Sequence, residues 1–202
     1  MAEMLKQLHR QLQWAEEEHR QLVVKLFEES QPHIDRRLDE LETKKPSLSP
    51  GEYLKEMSKF AADVSELGGR RTARRLLGSA YDAGQAELSP GERLEITVQL
   101  VNLLRQEDDT RGAVNALKRL VPLAEALPDT DPKKLSFWKA WALSLAEELA
   151  YSDATAAFNR AIELSTNKEE RDGLRAELAE LYLLCGNIDE ALKISAEDSA
   201  SD

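Results

Sequence analysis

The string LSPGEYL at Leu48–Leu54 returns as LSPGERL at Leu88–Leu94, 40 residues later. Each copy carries the parts of a helix start. Ser49 and Ser89 are N-caps, Pro50 and Pro90 occupy the first turn where a missing N–H costs nothing, and Glu52 and Glu92 can close a capping box. Asp131-Pro132 repeats the cap-then-proline device about 40 residues further on. A helix start recurring at such a period marks stacked helical units, none of which buries its apolar face alone.

The residues after each start sharpen the pattern. An apolar residue precedes a small one, another apolar residue comes three later, an alanine comes twelve after the small one, and further residues lie four and seven beyond that alanine. The copies read Phe60-Ala61, Val64, Ala73, Leu77, Ala80; then Leu100-Val101, Leu104, Ala113, Leu117, Leu120; then Trp141-Ala142, Leu145, Ala154, Phe158, Ala161; then Leu178-Ala179, Tyr182, Ala191, Ser195. Small residues there let two antiparallel helices approach closely, and the larger ones fill the space between them and toward the next pair. This predicts that Ala61, Ala73, Ala142, Ala154, Ala179 and Ala191 are buried. It also predicts at least seven helices beyond the N-terminal segment, with Pro122 kinking or ending the second helix of the second copy.

With these residues placed, the chain resembles the tetratricopeptide repeat (TPR) family, whose unit is a helix pair with this signature. The third copy carries Trp138 where the family favours tryptophan, with Ala142, Ala154, Phe158 and Ala161; the fourth has Tyr182, the turn glycine Gly186 and Ala191. Copy intervals of 40, 41 and 37 residues exceed the family's usual length of about 34, and its closing proline is missing. The resemblance implies an all-α fold, an α-solenoid of antiparallel helix pairs. Its units span about 52–86, 92–127, 133–166 and 170–197 in a repeat domain of 47–197, followed by an acidic tail at 198–202.

Ahead of the repeats, 1–46 form a helical segment, a hairpin or a coiled coil. Leu5, Leu8, Leu12, Ala15, His19, Leu22 and Leu26 keep spacings of three and four, the seam of a helix that packs on another helix. Gln31-Pro32 should end that helix, after which Ile34, Leu38 and Leu41 share one face of a second. Packing within the chain is the favoured use of the seam, with a homodimer through the N-terminal helix as the alternative.

Composition bounds the function. Hydrophobic residues make up 42% of the 202, enough for a core, and the net charge of −11 opposes binding to nucleic acid or anionic lipid. No apolar run reaches the roughly 20 residues of a membrane span, so membrane insertion is not expected. One cysteine, Cys185, and no export signal point to the cytoplasm. Cys185 reads as a buried small apolar residue, and Trp138 and Trp141 as core. His9, His19 and His33 lack the spacing that places two ligands on one helix face, and His19 falls in the seam. No phosphate loop, nucleophile motif or metal spacing occurs, so the chain reads as non-enzymatic, with no cofactor.

The family resemblance implies a concave groove lined by first helices, which binds an extended peptide or a helix. Groove positions here are Lys55 and Lys59, Gln99 and Asn102, Ser136 and Lys139, and Glu177 and Glu180; the lysine-asparagine clamp for a C-terminal carboxylate is incomplete. The basic cluster Arg70, Arg71, Arg74 and Arg75 is the dense exception in an acidic chain, suited to carboxylate or phosphate. The expected function is a non-catalytic protein–protein interaction module or scaffold with a protein or peptide partner. Alternatives are a secretion or assembly chaperone for an aggregation-prone client, or a nucleic-acid-linked regulator using the arginine cluster.

Overall fold

The structure is a computed structural model that describes residues 2–199, apart from the side chains at 2–16, 20, 23, 26, 83 and 195–199. The described residues form helices and connecting turns, with no strand among them. The chain divides into two compact units, 1–82 and 83–202. The first holds α1 (Ala2–Lys44), α2 (Pro50–Glu66) and most of α3 (Arg70–Gly84). In the second lie α4 (Pro90–Gln106), α5 (Thr110–Lys118), α6 (Val121–Ala126), α7 (Pro132–Glu147), α8 (Tyr151–Leu164), α9 (Lys168–Leu184) and α10 (Ile188–Ser199).

Helix starts form where the repeated string places them. Glu52 N donates to Ser49 Oγ at 3.3 Å while Ser49 N donates to Glu52 Oε2 at 2.9 Å. The same reciprocal pair joins Ser89 and Glu92 at 3.3 and 3.0 Å. Asp131 accepts from Lys133 N at 2.9 Å with Pro132 in the first turn of α7. Each cap satisfies backbone donors the helix cannot use itself.

Helix ends repeat as faithfully. The first helix of each pair closes with an N–H reaching back five residues: Gly69 to Val64 O, Asp109 to Leu104 O, Ala150 to Leu145 O and Asn187 to Tyr182 O, all at 2.8–3.0 Å. The residue before each donor is left-handed, with φ of 91° at Gly68, 60° at Asp108, 63° at Leu149 and 75° at Gly186. This is the Schellman closure. Its four acceptors are the apolar residues that the pattern places three after the small one, so one register governs side chains and backbone alike.

All six expected alanines are buried, and so are Val101 and Ala113 at the corresponding places of the second copy. Around them in the second unit, Phe137, Phe158, Leu94, Leu117 and Leu174 form one core. Burying a side chain of that size contributes about 1.5–3 kcal/mol. Trp138 is in this core and Trp141 packs against it. The expected break at Pro122 is present: α5 stops at Lys118 and α6 restarts at Val121, with the proline in its first turn.

The N-terminal segment departs from expectation. Pro32 does not end the first helix; it lies inside α1, which continues to Lys44. An interior proline costs about 3 kcal/mol through a lost hydrogen bond and a clash with the carbonyl four residues back. Here Pro32 and Glu28 are both exposed, so water can serve the carbonyl left over. Gln31 bonds Asp35 across the proline at 2.8 Å, and buried Ile34 and Leu41, with half-buried Leu38 between them, anchor the next turns of the helix. The expected shared face of Ile34, Leu38 and Leu41 thus forms, but as part of one continuous helix.

Of the seam, His19 and Leu22 are exposed on this chain, together with Val24, rather than packed within it. A three-and-four spacing encodes a face but not what meets it. Leu5, Leu8, Leu12, Ala15 and Leu26 lie outside the described side chains, as do Ser195 and the 198–202 tail. Phe27 of α1 lays its ring against Gly69, where a Cβ would overlap that ring.

Candidate interaction surface

α4 and α7, first helices of the second unit, lie side by side and run the same way. Lys133 Nζ sits 3.4 Å from Glu95 Oε2 near the starts of α7 and α4. Near their ends Arg105 Nε donates to both carboxylate oxygens of Glu147 at 2.9 and 3.0 Å. Start-to-start and end-to-end pairing is possible only for parallel neighbours. α9 joins the row through Lys139 and Glu177, 3.9 Å apart. Exposed pairs contribute only about 0–1 kcal/mol each, so these set orientation, the forked Arg105 contact most strongly.

Within this row, Gln99 on α4 and Glu177 on α9 are half-buried, and each presents a buried oxygen, Oε1 and Oε2 respectively, with no hydrogen-bond partner in the protein. The two occupy the same repeat position, two before the small residues Val101 and Ala179. Asn102, Ser136 and Glu180 are exposed, and the Ser136 hydroxyl donates to Pro132 O at 3.1 Å. Lys55 and Lys59 are exposed on α2 of the first unit, Lys59 bonding Glu56 at 3.1 Å.

Arg70, Arg71, Arg74 and Arg75 occupy the start of α3, whose first turn holds no acid. Cations there oppose the positive end of the helix dipole. Arg70, Arg71 and Arg75 are exposed and Arg74 half-buried, and a shallow cleft of about 420 Å³ is lined by Arg71, Thr72, Arg74 and Arg75.

Two polar clusters escaped the sequence reading. Lys134, only 2% exposed, places its ammonium 3.1 Å from Glu125 O, 2.9 Å from Leu127 O and 2.8 Å from Asp129 Oδ1. It thereby satisfies carbonyls at the end of α6, where a cation also suits the dipole. Arg160 joins Asp129 at 2.9 Å, and the hydrogen bond from Lys134 holds the Asp129 carboxyl below the ordinary carboxylate range. In the first unit Tyr53 donates to Glu42 at 2.6 Å under the Lys45 ammonium, and burial followed by that bond pushes its hydroxyl pKa well above the usual value. Neither cluster was legible, because each depends on loop geometry rather than spacing.

Cys185 is half-buried at the end of α9 rather than buried, since it caps a helix beside an exposed turn. His19 and His33 are exposed, His33 Nδ1 lying 2.9 Å from Arg36 Nη2. Among the described residues no cluster could hold a metal, and no helix is long and apolar enough to cross a membrane.

Comparison with solved structures places the fold. A Podosopora anserina protein described as a kinesin light chain with nearly identical TPR-like repeats superposes with a TM-score of 0.69 at 17% identity, covering 89% of this chain and 91% of that one. BtubC (BKLC) from P. vanneervenii gives 0.67 at 16% identity over 88% and 72%. MamA 41-end from Desulfovibrio magneticus RS-1 gives 0.57 at 12% over 83% and 93%. The chain therefore has the all-α, TPR-like α-solenoid fold. No family model and no curated protein matches its sequence.

Proposed function

We propose that this protein is a non-catalytic scaffold that holds an extended peptide or a helix of a partner protein along the parallel row α4, α7 and α9. The observation that carries this is the pair of unpartnered buried oxygens on Gln99 and Glu177 at one repeat position. A buried acceptor left unpaired costs about 1–3 kcal/mol, and either half-buried side chain turning outward to accept from a ligand backbone would remove that cost. Exposed Asn102, Ser136 and Glu180 beside them offer adaptable hydrogen bonding. The TPR-like fold supports the reading, since the family resemblance implies peptide recognition on first helices. The acidic chain and the small size of the arginine cluster weigh against nucleic acid.

Site-specific photo-crosslinking in extract of the native source tests it. A photoreactive residue at Asn102 or Glu180 should capture the same partner, while one at exposed Glu163 on the second-helix side should not. Capture at Glu163 alone would overturn the assignment of the surface.

A further inference from the structure

Four arginines open α3, and the repeat does not call for them. Aligned on the buried alanines Ala73, Ala113, Ala154 and Ala191, the places of Arg70, Arg71, Arg74 and Arg75 hold one cation in α5, Arg111, none in α8 and one in α10. The one in α10, Lys193, donates to Glu190. Second helices of this fold therefore form without an arginine cluster. Stability does not account for it either. Arg71 and Arg75 lie one turn apart on an exposed face, where like charges repel, and the first turn of α3 holds no acid to answer them. Among the described residues, neither has a hydrogen-bond or ion-pair partner.

The cleft of about 420 Å³ brings Arg71, Arg74 and Arg75 together with the half-buried Thr72, and no carboxylate lines it. Guanidiniums only donate hydrogen bonds, and the threonine hydroxyl can donate one more. A lining of donors calls for a compact ligand rich in acceptors.

Charge narrows the choice. The first unit, 1–82, carries 14 Lys and Arg against 15 Asp and Glu, a net of −1, whereas 83–202 carries 13 against 23, a net of −10. The acidity that opposes anions thus belongs almost wholly to the second unit. A ligand bringing many negative charges, such as a nucleic acid or an anionic membrane, still meets that field. One bringing its charge at a single point meets mainly the arginines, because the rest is screened beyond about 8–10 Å. Nor does α3 expose a large aliphatic residue, among its described side chains, that could enter a lipid layer. A phosphorylated side chain has the right form, about −2 charge and three acceptor oxygens on one phosphorus, which arginine forks engage in bidentate pairs. A carboxylate offers one charge and two oxygens, fewer than this lining can serve. We infer that Arg71, Arg74 and Arg75, with Thr72, bind a phosphoserine or phosphothreonine of a partner protein, at a surface separate from the α4–α7–α9 row.

Fluorescence anisotropy on the full chain tests this, with a labelled nine-residue glycine-serine peptide carrying one central phosphoserine as the probe. The phosphopeptide should bind, and both its unphosphorylated form and a form with glutamate at the centre should bind at least tenfold more weakly. Arg71→Gln with Arg75→Gln should weaken phosphopeptide binding at least tenfold. Both positions are exposed, so the circular dichroism of that variant should match the parent's. Lys118→Gln with Arg119→Gln removes two exposed charges elsewhere and should leave binding unchanged. Equal loss in the two double variants would show mere charge attraction and overturn the proposal, as would full binding by the Arg71 and Arg75 variant. Equal binding of the glutamate peptide would overturn it in favour of an acidic segment. Tighter binding of a single-stranded oligonucleotide or of phosphatidylserine vesicles, lost in the same variant, would overturn it in favour of nucleic acid or membrane.

Discussion

Leu149 has a φ of 63° and is 67% exposed at a position where the other pairs carry Gly68, Asp108 and Gly186. A side chain in the left-handed region costs about 1–2 kcal/mol through contact between Cβ and the carbonyl. Leu149→Ala keeps that strain and loses what little burial the leucine has. Leu149→Gly loses the same burial but relieves the strain, at the expense of about 0.5–1 kcal/mol of unfolded-chain entropy. The glycine variant should therefore be more stable than the alanine variant by about 0.5–1 kcal/mol, the reverse of the order in a helix interior. In a chain this long that is about 1–4 °C in Tm. Urea unfolding monitored by circular dichroism reads it as a higher midpoint with an unchanged slope. Gly186→Ala supplies the mirror image, since a Cβ there meets nothing within 4 Å and only the backbone can object. An alanine variant at 149 as stable as the glycine one would refute the strain argument.

Lys134→Met should destabilise by about 2–4 kcal/mol in the same assay, because it strands the Glu125 and Leu127 carbonyls and leaves Asp129 with Arg160 alone. Ser49→Ala and Ser89→Ala should each cost about 1 kcal/mol, and equal losses at the two sites would reflect their equal geometry. Pro32→Ala restores a helix bond inside α1 and should raise stability by up to about 3 kcal/mol; a fall would mean that the packing of α1 depends on the proline. The Asp129 carboxyl titrates below its ordinary 3.8 when folded, so its contribution is complete above that value and fades as pH falls through the lowered one. An acid titration of stability should thus fall more steeply for the parent than for Asp129→Asn.

Much of the fold was legible because one register is written twice, in caps and in small residues. Ser49, Ser89 and Asp131 announce their helices with local chemistry that no tertiary context had to override. The buried alanines could be placed from their twelve-residue interval. Where the reading failed, a local rule met a longer-range energy. Gln31-Pro32 carries a stop signal, yet Ile34 and Leu41 gain more from continuing the helix into the core of the first unit than the proline takes away. His19 and Leu22 have the right period for a seam, but period does not identify a partner. The Asp108 and Leu149 turns were illegible alone, since neither residue advertises a left-handed backbone as Gly68 and Gly186 do; only alignment of the copies locates them.

The surfaces were legible only in part, for the same reason. Repeat position identifies Gln99 and Glu177 as equivalent, but whether a polar atom is left unpaired depends on neighbours 40 or so residues away, as the 42-residue reach of Arg105 to Glu147 illustrates. Exposed leucines such as Leu149 and Leu192 are harder still, because in sequence they look like core leucines. Leu149 combines the two difficulties. Folding gains little from a leucine there: it adds backbone strain, buries little, and stands where glycine serves other pairs. A Leu149→Gly chain should then be as stable as the parent, since the relieved strain offsets both the small burial lost and glycine's entropy. A lower stability than the parent would instead mark Leu149 as a packing residue of the turn.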